Sequence, residues 1–258
     1  MSAVWSGLSG RVALVTGAGQ GIGASIAERF AVEGSVVAVN SYQPHKAEAT
    51  AARLRGTGGR ARAFPADVAD AGQVDAMVRA VEEELGPVEI LVNNAAVLEM
   101  ERLVDLDLAV WHRTIDVDLT GPFLCMRRVL PRMLDARWGR IVTVSSFWGL
   151  LGARGATAYC AAKGGLVALT RAVAQEMSGT GVHVSAVGPG VVDTPQLAAD
   201  AAFAGITIDE VKQRYAIDTL VDRIGTPDEI AGVVAFLASD DGEWFHGRTV
   251  PVTGGRSE

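Results

Sequence analysis

The sequence predicts an α/β fold with a doubly wound, seven-stranded parallel sheet and helices on both faces. Short runs rich in Val, Ile and Leu recur along the chain and alternate with longer stretches of helical periodicity. The short runs are almost continuously apolar, as in parallel strands that are buried on both faces. No repeat, low-complexity tract or linker interrupts this alternation, so we interpret residues 1–258 as one domain.

Each predicted strand is a short apolar run bounded by Gly, Pro or polar residues. The seven strands are expected at Arg11–Thr16, Ser35–Asn40, Ala61–Pro65, Val88–Val92, Gly139–Ser145, Gly181–Val187 and Arg248–Val252. The connecting helices are expected at Ile22–Glu33, Pro44–Arg55, Ala71–Leu85, Leu108–Leu134 and around Tyr159 to about Met177. The segment from Thr194 to Ile224 has no strand character and follows the sixth strand, where a mobile flap over a site would fit.

The amino-acid composition excludes several classes of protein. A hydrophobic content of 49% supports a large core, and a net charge of −7 argues against a nucleic-acid partner. Cys125 and Cys160 are too few for a disulfide framework, and no Cys/His cluster has the spacing of a metal site. The amino terminus lacks a basic region followed by an apolar run, and no apolar segment reaches ~18 residues. We therefore expect a cytoplasmic protein with no membrane partner.

A glycine-rich string, Thr16-Gly-Ala-Gly-Gln-Gly-Ile-Gly23, joins the first strand to the first helix. Glycines allow a tight turn and a close approach of backbone N–H groups to phosphates at the positive end of a helix. The alternative is a plain structural turn, but the strand–turn–helix context favours dinucleotide binding. The predicted phosphate-binding residues are Gly17, Gln20, Gly21, Ile22 and Gly23.

The residue type at the end of the second strand helps to distinguish an NAD site from an NADP site. A carboxylate at this position binds the ribose 2′-hydroxyl and repels a 2′-phosphate. Here the strand ends in Asn40 and Ser41, without an acidic residue. This absence favours NADP(H) and leaves NAD(H) as the alternative. In a second interpretation, Asn40 and Ser41 simply end a strand.

Polar residues follow the next two strands at the edge of the sheet where ligands bind. Asp67 and Val68, after the third strand, are placed to contact an adenine ring. Asn94, Ala95 and Ala96 follow the fourth strand, where they either line the same crevice or form an ordinary loop.

Ser146, Tyr159 and Lys163 form the candidate catalytic set. The Tyr-x-x-x-Lys spacing places both side chains on one face of a helix. An ammonium beside a phenol favours the phenolate, although lowering a Tyr pKa from ~10 to ~7 requires about 4 kcal/mol. Lys163 could supply part of this stabilisation.

In this order and spacing, the motifs resemble the short-chain dehydrogenase/reductase family from about Leu8 to Gly255. The resemblance is carried by the glycine-rich string, Asn93-Asn94-Ala95, the Ser146, Tyr159 and Lys163 set, Pro189-Gly190 with Thr194, Arg223–Ala231 and Gly254-Gly255. It implies a Rossmann-type fold and an NAD(P)-dependent oxidoreductase that acts on a small-molecule carbonyl or alcohol. It also implies a homodimer or homotetramer.

The resemblance also implies individual roles. Tyr159 would be the general acid for reduction and the base for oxidation, Ser146 would bind the substrate oxygen, and Lys163 would hold the nicotinamide ribose. The nicotinamide carboxamide would be bordered by Pro189, Gly190, Val192 and Thr194.

One departure from the family concerns Asp118, which stands seven positions after Trp111 where the family usually has Asn. We place Asp118 among the catalytic residues and expect an ionised carboxylate there to oppose the phenolate and change the pH profile, with activity retained. It is the only support for the alternative of a catalytically impaired dinucleotide-binding regulator or scaffold. A lyase or epimerase is a further alternative, although such relatives generally carry a longer substrate domain.

The residues after Ser146 leave the substrate open. Phe147 and Trp148 either line a substrate pocket, which would suit an apolar or ring-shaped substrate, or pack beneath the flap.

Overall fold

A parallel sheet of seven strands organises the computed structural model, which describes residues 5–256. The strand order is β3-β2-β1-β4-β5-β6-β7. The strands are β1 (Val12–Val15), β2 (Val36–Val39), β3 (Arg60–Ala63), β4 (Ile90–Asn93), β5 (Gly139–Val144), β6 (Val182–Pro189) and β7 (Thr249–Val252). Each overlaps a predicted apolar run, so the predicted fold class is confirmed.

The direction of winding reverses between β1 and β4. The chain proceeds from β1 to β2 and β3 on one side, and then returns to place β4 on the other side of β1. The Thr16 hydroxyl joins the two strand ends, since it donates to the Val92 carbonyl at 3.3 Å and accepts from the Asn94 N–H at 3.0 Å. In such sheets a crevice opens beyond the carboxyl ends of the strands at this reversal.

Helices cover both faces of the sheet. They are α1 (Gly21–Val32), α2 (Pro44–Gly56), α3 (Ala71–Glu84), α4 (Leu108–Ile115), α5 (Gly121–Ala136), α6 (Trp148–Leu151), α7 (Thr157–Glu176), α8 (Leu197–Ala204), α9 (Ile208–Ala216) and α10 (Pro227–Ala238). One apolar cluster joins the sheet to α1, α2 and α10, and a second joins it to α3, α5 and α7. The short α6 and the largely apolar α10 were not predicted.

The long helix predicted over Leu108–Leu134 is interrupted. A π-helical turn, Asp116–Thr120, separates α4 from α5, and the Gly121 N–H bonds the Asp116 carbonyl five residues earlier. Pro122 has no N–H to offer the Asp118 carbonyl, so a regular turn is lost at this point. The widened turn contains Asp118, whose side chain is buried.

The segment predicted to form a flap contains two helices, α8 and α9, and no strand. An isolated bridge between Val192 and Gly225 closes its base. Leu197, Ala201 and Val211 form a small apolar cluster inside it. The prediction that this segment moves over the site stays a prediction.

Two absences concern residues 5–256. No helix there combines the length and the apolar character needed to cross a bilayer. No group of three or more His, Cys, Asp or Glu side chains there could hold a metal ion. The predicted absence of a signal sequence concerns in part residues 1–4, which lie outside the described residues.

Candidate functional site

A cavity of about 340 Å³ opens at the carboxyl edge of the sheet, at the reversal between β1 and β4. It brings together every residue that the sequence predicted for cofactor or substrate. These residues are Gly17, Gln20, Gly21, Ile22, Gly23, Asn40, Ser41, Asp67, Val68, Asn94, Ala95, Ala96, Ser146, Trp148, Tyr159, Lys163, Pro189, Gly190, Val192 and Thr194. Asp118 does not line the cavity.

The amino terminus of α1 faces the cavity without a side-chain cap. Gln20 precedes the helix but makes no capping hydrogen bond, and the first turn contains no acidic residue. The first N–H groups of a helix have no partner within it and carry partial positive charge. Residues 21–23, which line the cavity, therefore form a site that suits an anionic group such as a pyrophosphate.

Two glycines allow β4 to approach the glycine-rich turn. The Asn94 amide donates to the Thr16 carbonyl at 2.9 Å and to the Gly17 carbonyl at 3.2 Å. A Cβ atom on Gly23 would lie 2.4 Å from the Asn94 amide nitrogen, and one on Gly17 would lie 2.6 Å from Ala95 Cα. These glycines are thus required for packing within the protein, in addition to the phosphate contacts that the sequence predicts.

Asn40 is buried and its side chain is fully engaged by the backbone. Its Oδ1 accepts from the Gly17 N–H at 3.3 Å, and its Nδ2 donates to the Phe64 and Ala66 carbonyls at 3.0 and 3.2 Å. Asn40 therefore joins the ends of β1, β2 and β3, and these bonds leave its amide little capacity for a ligand. The Ser41 hydroxyl accepts from the Gln43 N–H at 3.2 Å.

Lys46 lines the same end of the cavity and was not included among the predicted site residues. Its ammonium donates to Gln20 Oε1 at 2.6 Å. The signal was present in the sequence, because Lys46 lies in the first turn of the helix that follows β2. The adenosine end of the cavity therefore contains a positive charge, that of Lys46. The prediction of NADP(H) from the sequence rests on the lack of an acidic residue after the second strand.

Asp67 is held by two contacts at the mouth of the cavity. Its Oδ2 pairs with Arg113 at 2.8 Å, and its Oδ1 accepts from the Ala69 N–H at 3.0 Å. The Arg113 guanidinium also lies 5.6 Å from the centre of the exposed Tyr42 ring. Arg113 and Tyr42, which line the cavity, were not predicted.

Tyr159 lies in the first turn of α7 and is 9% exposed. Its hydroxyl hydrogen-bonds the side chains of Ser146 and Gln196. The Ser146 hydroxyl in turn accepts from the Trp148 N–H at 3.2 Å, which orients it after β5. Gln196, from the start of the flap, was not predicted, because no local pattern shows that the flap returns to the hydroxyl.

Lys163 is 2% exposed, and its ammonium has two protein partners. It donates to the Val144 carbonyl at 3.1 Å and pairs with Asp118 Oδ2 at 3.4 Å. An ammonium has three donors, and among the described residues only the Val144 carbonyl accepts a hydrogen bond from it, so donor capacity is left for a ligand in the cavity. The ammonium also lies 5.3 Å from the centre of the Tyr159 ring.

Asp118 is fully buried behind Lys163 and acts through it. Its Oδ1 accepts from the Val97 N–H at 2.8 Å, so both of its contacts lie on the protein side. Burial raises the pKa of Asp118 to about 6, against the lowering effect of the Lys163 charge. Asp118 therefore contacts Lys163 from the protein side and does not reach the cavity.

The pKa of Tyr159 is raised, whereas the prediction from the sequence stressed the lowering effect of Lys163. Burial of the phenol raises it, Lys163 lowers it, and the Asp118 carboxylate raises it further. The net direction in the protein alone is upward, because desolvation of the phenolate outweighs one ammonium that is itself shared with a carboxylate.

Comparison of the sequence with known proteins gave three findings. A sequence model of a family described as short chain dehydrogenase matches residues 11–203. Galactitol 2-dehydrogenase from Agrobacterium fabrum is 38% identical, with 96% of this chain and 98% of that protein covered. The 3-oxoacyl-acyl-carrier-protein reductase FabG of Staphylococcus aureus (strain Mu50) is 38% identical, with 94% and 96% covered.

A solved structure from Agrobacterium tumefaciens, provisionally described as a gluconate dehydrogenase, has the same architecture. It matches with a TM-score of 0.90 at 32% identity, and the match covers 96% of each chain.

The raised pKa of Asp118 makes stability depend on pH. The folded protein binds the Asp118 proton more tightly than the unfolded chain does, so this stabilisation is complete below pH 3.8 and is lost as the pH rises through about 6. In Asp118→Asn, we expect the free energy of unfolding to lack this decline, which amounts to about 3 kcal/mol in wild type.

Urea denaturation at several pH values between 4 and 7 measures the effect. Asp116→Asn, which removes an exposed carboxylate from the same π-helical turn, serves as the control and should follow wild type. A difference between Asp118→Asn and wild type that is constant over this range would contradict the assignment.

Proposed function

Because the chain belongs to the short-chain dehydrogenase family, we propose that its cavity supports hydride transfer between a nicotinamide dinucleotide and a carbonyl or secondary alcohol, with Tyr159 as general acid and base. Membership of this family makes the protein an oxidoreductase that acts on CH–OH and C=O groups with NAD(P). The observation that carries the proposal is the meeting of Ser146, Tyr159 and Lys163 in one cavity with an uncapped helix terminus.

The residues present fit a dinucleotide. The N–H groups of residues 21–23 would hold its pyrophosphate, and Asp67 and Val68 would border the adenine. The nicotinamide end would lie against Asn94, Ala95, Ala96, Pro189, Gly190, Val192 and Thr194. When bound, the dinucleotide supplies the hydride acceptor for alcohol oxidation and the hydride donor for carbonyl reduction.

Residues of the protein transfer the proton. In oxidation, the Tyr159 phenolate takes the hydroxyl proton of the substrate as the C=O bond forms; in reduction, the Tyr159 hydroxyl gives a proton to the carbonyl oxygen as it becomes an alcohol. Ser146, which hydrogen-bonds Tyr159, would donate to the same substrate oxygen. Two aimed hydroxyl groups meet the negative charge that develops on that oxygen.

Lys163 would interact both with the dinucleotide and with Tyr159. Its free donor would bind the nicotinamide ribose, while its charge favours the Tyr159 phenolate. The Val144 carbonyl and Asp118 fix the ammonium in place. The carboxylate opposes part of the electrostatic benefit, so Asp118 tunes the acidity of Tyr159 and leaves the chemistry to the other three residues.

Tyr159→Phe tests the assignment of the acid and base. Loss of the hydroxyl should abolish turnover, by at least about 1,000-fold in kcat, and leave the Kd for the dinucleotide nearly unchanged. Steady-state absorbance assays on a panel of ketones and alcohols and fluorescence titration of the nicotinamide measure the two quantities. Cys160→Ser, at the neighbouring position on α7, should retain turnover.

Retained turnover in Tyr159→Phe would contradict the role of Tyr159. Dinucleotide binding by wild type with no turnover on any member of the panel would favour the catalytically impaired regulator instead.

We propose NADP(H) as the preferred dinucleotide, with NAD(H) as the alternative. The support is the absence of a carboxylate after β2 together with the Lys46 ammonium, which donates to Gln20 and lines the same cavity as Ser41. A ribose 2′-phosphate would find a cation there and no like charge.

Lys46→Ala should raise the Kd for NADPH by about 10- to 100-fold, because it removes a charge-assisted contact with the 2′-phosphate. The Kd for NADH should change by less than about threefold, since NADH lacks that phosphate. Parallel calorimetric titrations with both dinucleotides measure this, with Arg53→Ala, an exposed change on the same helix, as the control. Tighter binding of NADH by wild type, or equal losses for both dinucleotides, would reverse the assignment.

We propose a small-molecule substrate with a carbonyl or secondary alcohol. The similar proteins are named for galactitol and for a 3-oxoacyl group on a carrier protein, so similarity alone supports more than one substrate class. Because the cavity draws residues from 17 to 200, we propose that the whole chain acts as one unit. The cytoplasmic location and the absence of nucleic-acid and membrane partners stay predictions.

We also propose a homodimer or homotetramer formed through α4 and α5, α7 and β7. Leu108, Phe123 and Leu134 expose apolar surface along α4 and α5, and the Trp244 side chain before β7 is almost fully exposed. Apolar side chains that are left in water on a packed fold suit burial against a second copy.

Sedimentation velocity at micromolar concentration should show two or four copies of the 26.9 kDa chain. Phe123→Glu should weaken the assembly, because a charge would be buried at the interface. Val32→Glu, which changes an exposed apolar side chain on α1, should leave it intact. A wild-type protein that sediments only as a monomer would contradict the proposal.

A further inference from the structure

The cavity contains a buried carboxylate that the proposed mechanism does not use. Asp200, in α8 of the flap, lines the cavity and is 7% exposed. Its Oδ2 has no hydrogen-bond partner among residues 5–256, and no cation of those residues forms an ion pair with it. A buried carboxylate without a full set of partners is costly, so a site open to a ligand at this position is most simply completed by a donor on the ligand.

Helix geometry places Asp200 near the reacting end of the cavity. Gln196, at the start of α8, hydrogen-bonds the Tyr159 hydroxyl. Asp200 follows four residues later, so its side chain lies on the same face of the helix as Gln196. One turn of helix is about 5.4 Å long. A small substrate whose oxygen binds Tyr159 can therefore place a group on a neighbouring carbon near Asp200.

Aromatic rings line the same part of the cavity as the carboxylate. The Trp148 ring meets the Tyr159 ring edge-on, with centroids 6.2 Å apart, and also lies 6.5 Å from the Tyr215 ring of α9. The Tyr215 hydroxyl interacts with Asp200; burial raises its pKa and the Asp200 carboxylate raises it further, so Tyr215 stays protonated as a donor. Apolar ring surface for C–H groups beside one unsatisfied acceptor suits a hydroxylated carbon chain.

We propose that Asp200 accepts a hydrogen bond from a hydroxyl on the carbon next to the reacting carbon, and so selects polyols and hydroxyketones over simple alcohols and ketones. The inference rests on the proposed function and specifies its substrate class. The apolar or ring-shaped substrate that Phe147 and Trp148 suggest in the sequence stays the alternative. A substrate with a carboxylate at this position is disfavoured, because it would meet a like charge in a buried site.

A pair of probes that differ by one hydroxyl tests the inference. With NADP⁺ and, separately, NAD⁺, 2,3-butanediol is oxidised at one carbon and presents the second hydroxyl to Asp200, whereas 2-butanol lacks it. Wild type should prefer the diol in kcat/KM by at least about 100-fold, because a site built to bind a hydroxyl rejects the analogue that lacks it. A hexitol and 2-hexanol extend the comparison to a longer chain.

Asp200→Ala should reduce this preference by about 10- to 100-fold and change kcat/KM for 2-butanol by less than about threefold, since only the diol contacts the carboxylate. Asp200→Asn keeps an acceptor oxygen and should retain part of the preference. Asp209→Asn removes an exposed carboxylate from α9 of the same flap and should behave as wild type. Unchanged dinucleotide Kd values in all three variants show that the cavity is intact.

Four outcomes would overturn the inference. The first is a wild type that oxidises 2-butanol as well as the diol, and the second is an Asp200→Ala variant that loses activity equally on both. The third is a hexitol rejected while 2-hexanol is accepted. The fourth is a wild-type preference for 3-amino-2-butanol over the diol that Asp200→Asn abolishes, which would assign an ammonium group in place of the hydroxyl. Tyr159→Phe is assayed in parallel, so that a failure of the Asp200 inference can be told apart from a failure of the proposed function. Turnover retained in Tyr159→Phe contradicts the proposed function, whatever result the Asp200 variants give.

Discussion

A buried ammonium is the constraint on which the site depends. Lys163 is almost completely removed from water, and an isolated charge in such a place would be strongly disfavoured. The Val144 carbonyl and the Asp118 carboxylate make its burial tolerable and hold it beside the Tyr159 ring. The same carboxylate that helps to bury the lysine works against the phenolate. The acidity of Tyr159 is therefore a balance among burial, one cation and one anion, to which bound ligands must add.

The fold supplies this arrangement through contacts between distant segments. The reversal of the sheet between β1 and β4 opens the cavity, and Thr16 and Asn94 lock the two strand ends together. The π-helical turn then brings Asp118 behind Lys163, where its Oδ1 is anchored by the Val97 N–H. The flap contributes the remaining wall, since Gln196 reaches the Tyr159 hydroxyl and Asp200 lines the same cavity. The proposed catalytic residues and the proposed substrate-selecting residue thus come from distant parts of the chain that meet in one cavity.

Local patterns predicted what depends on local physics. Apolar runs located the strands, and the spacing of Tyr159 and Lys163 identified the face of α7 that lines the cavity, because both are properties of a few neighbouring residues. The start of α9 could also have been predicted from the sequence, since Thr207 and Glu210 form a capping box. The predicted helices did not include α9. The engagement of the Asn40 amide by three strand ends and the burial of Asp200 depend on tertiary packing, so no pattern in the sequence shows them.

In the proposed mechanism, the Tyr159 hydroxyl exchanges a proton with a substrate whose carbon exchanges a hydride with a bound nicotinamide. A crystal structure of the protein with NADP⁺ and a diol tests this mechanism. The reacting carbon should lie about 3–4 Å from the nicotinamide C4, its oxygen should lie within hydrogen-bonding distance of Tyr159 and Ser146, and Lys163 Nζ should contact the ribose. A nicotinamide ring bound away from Tyr159, or a substrate oxygen that contacts neither hydroxyl, would contradict it.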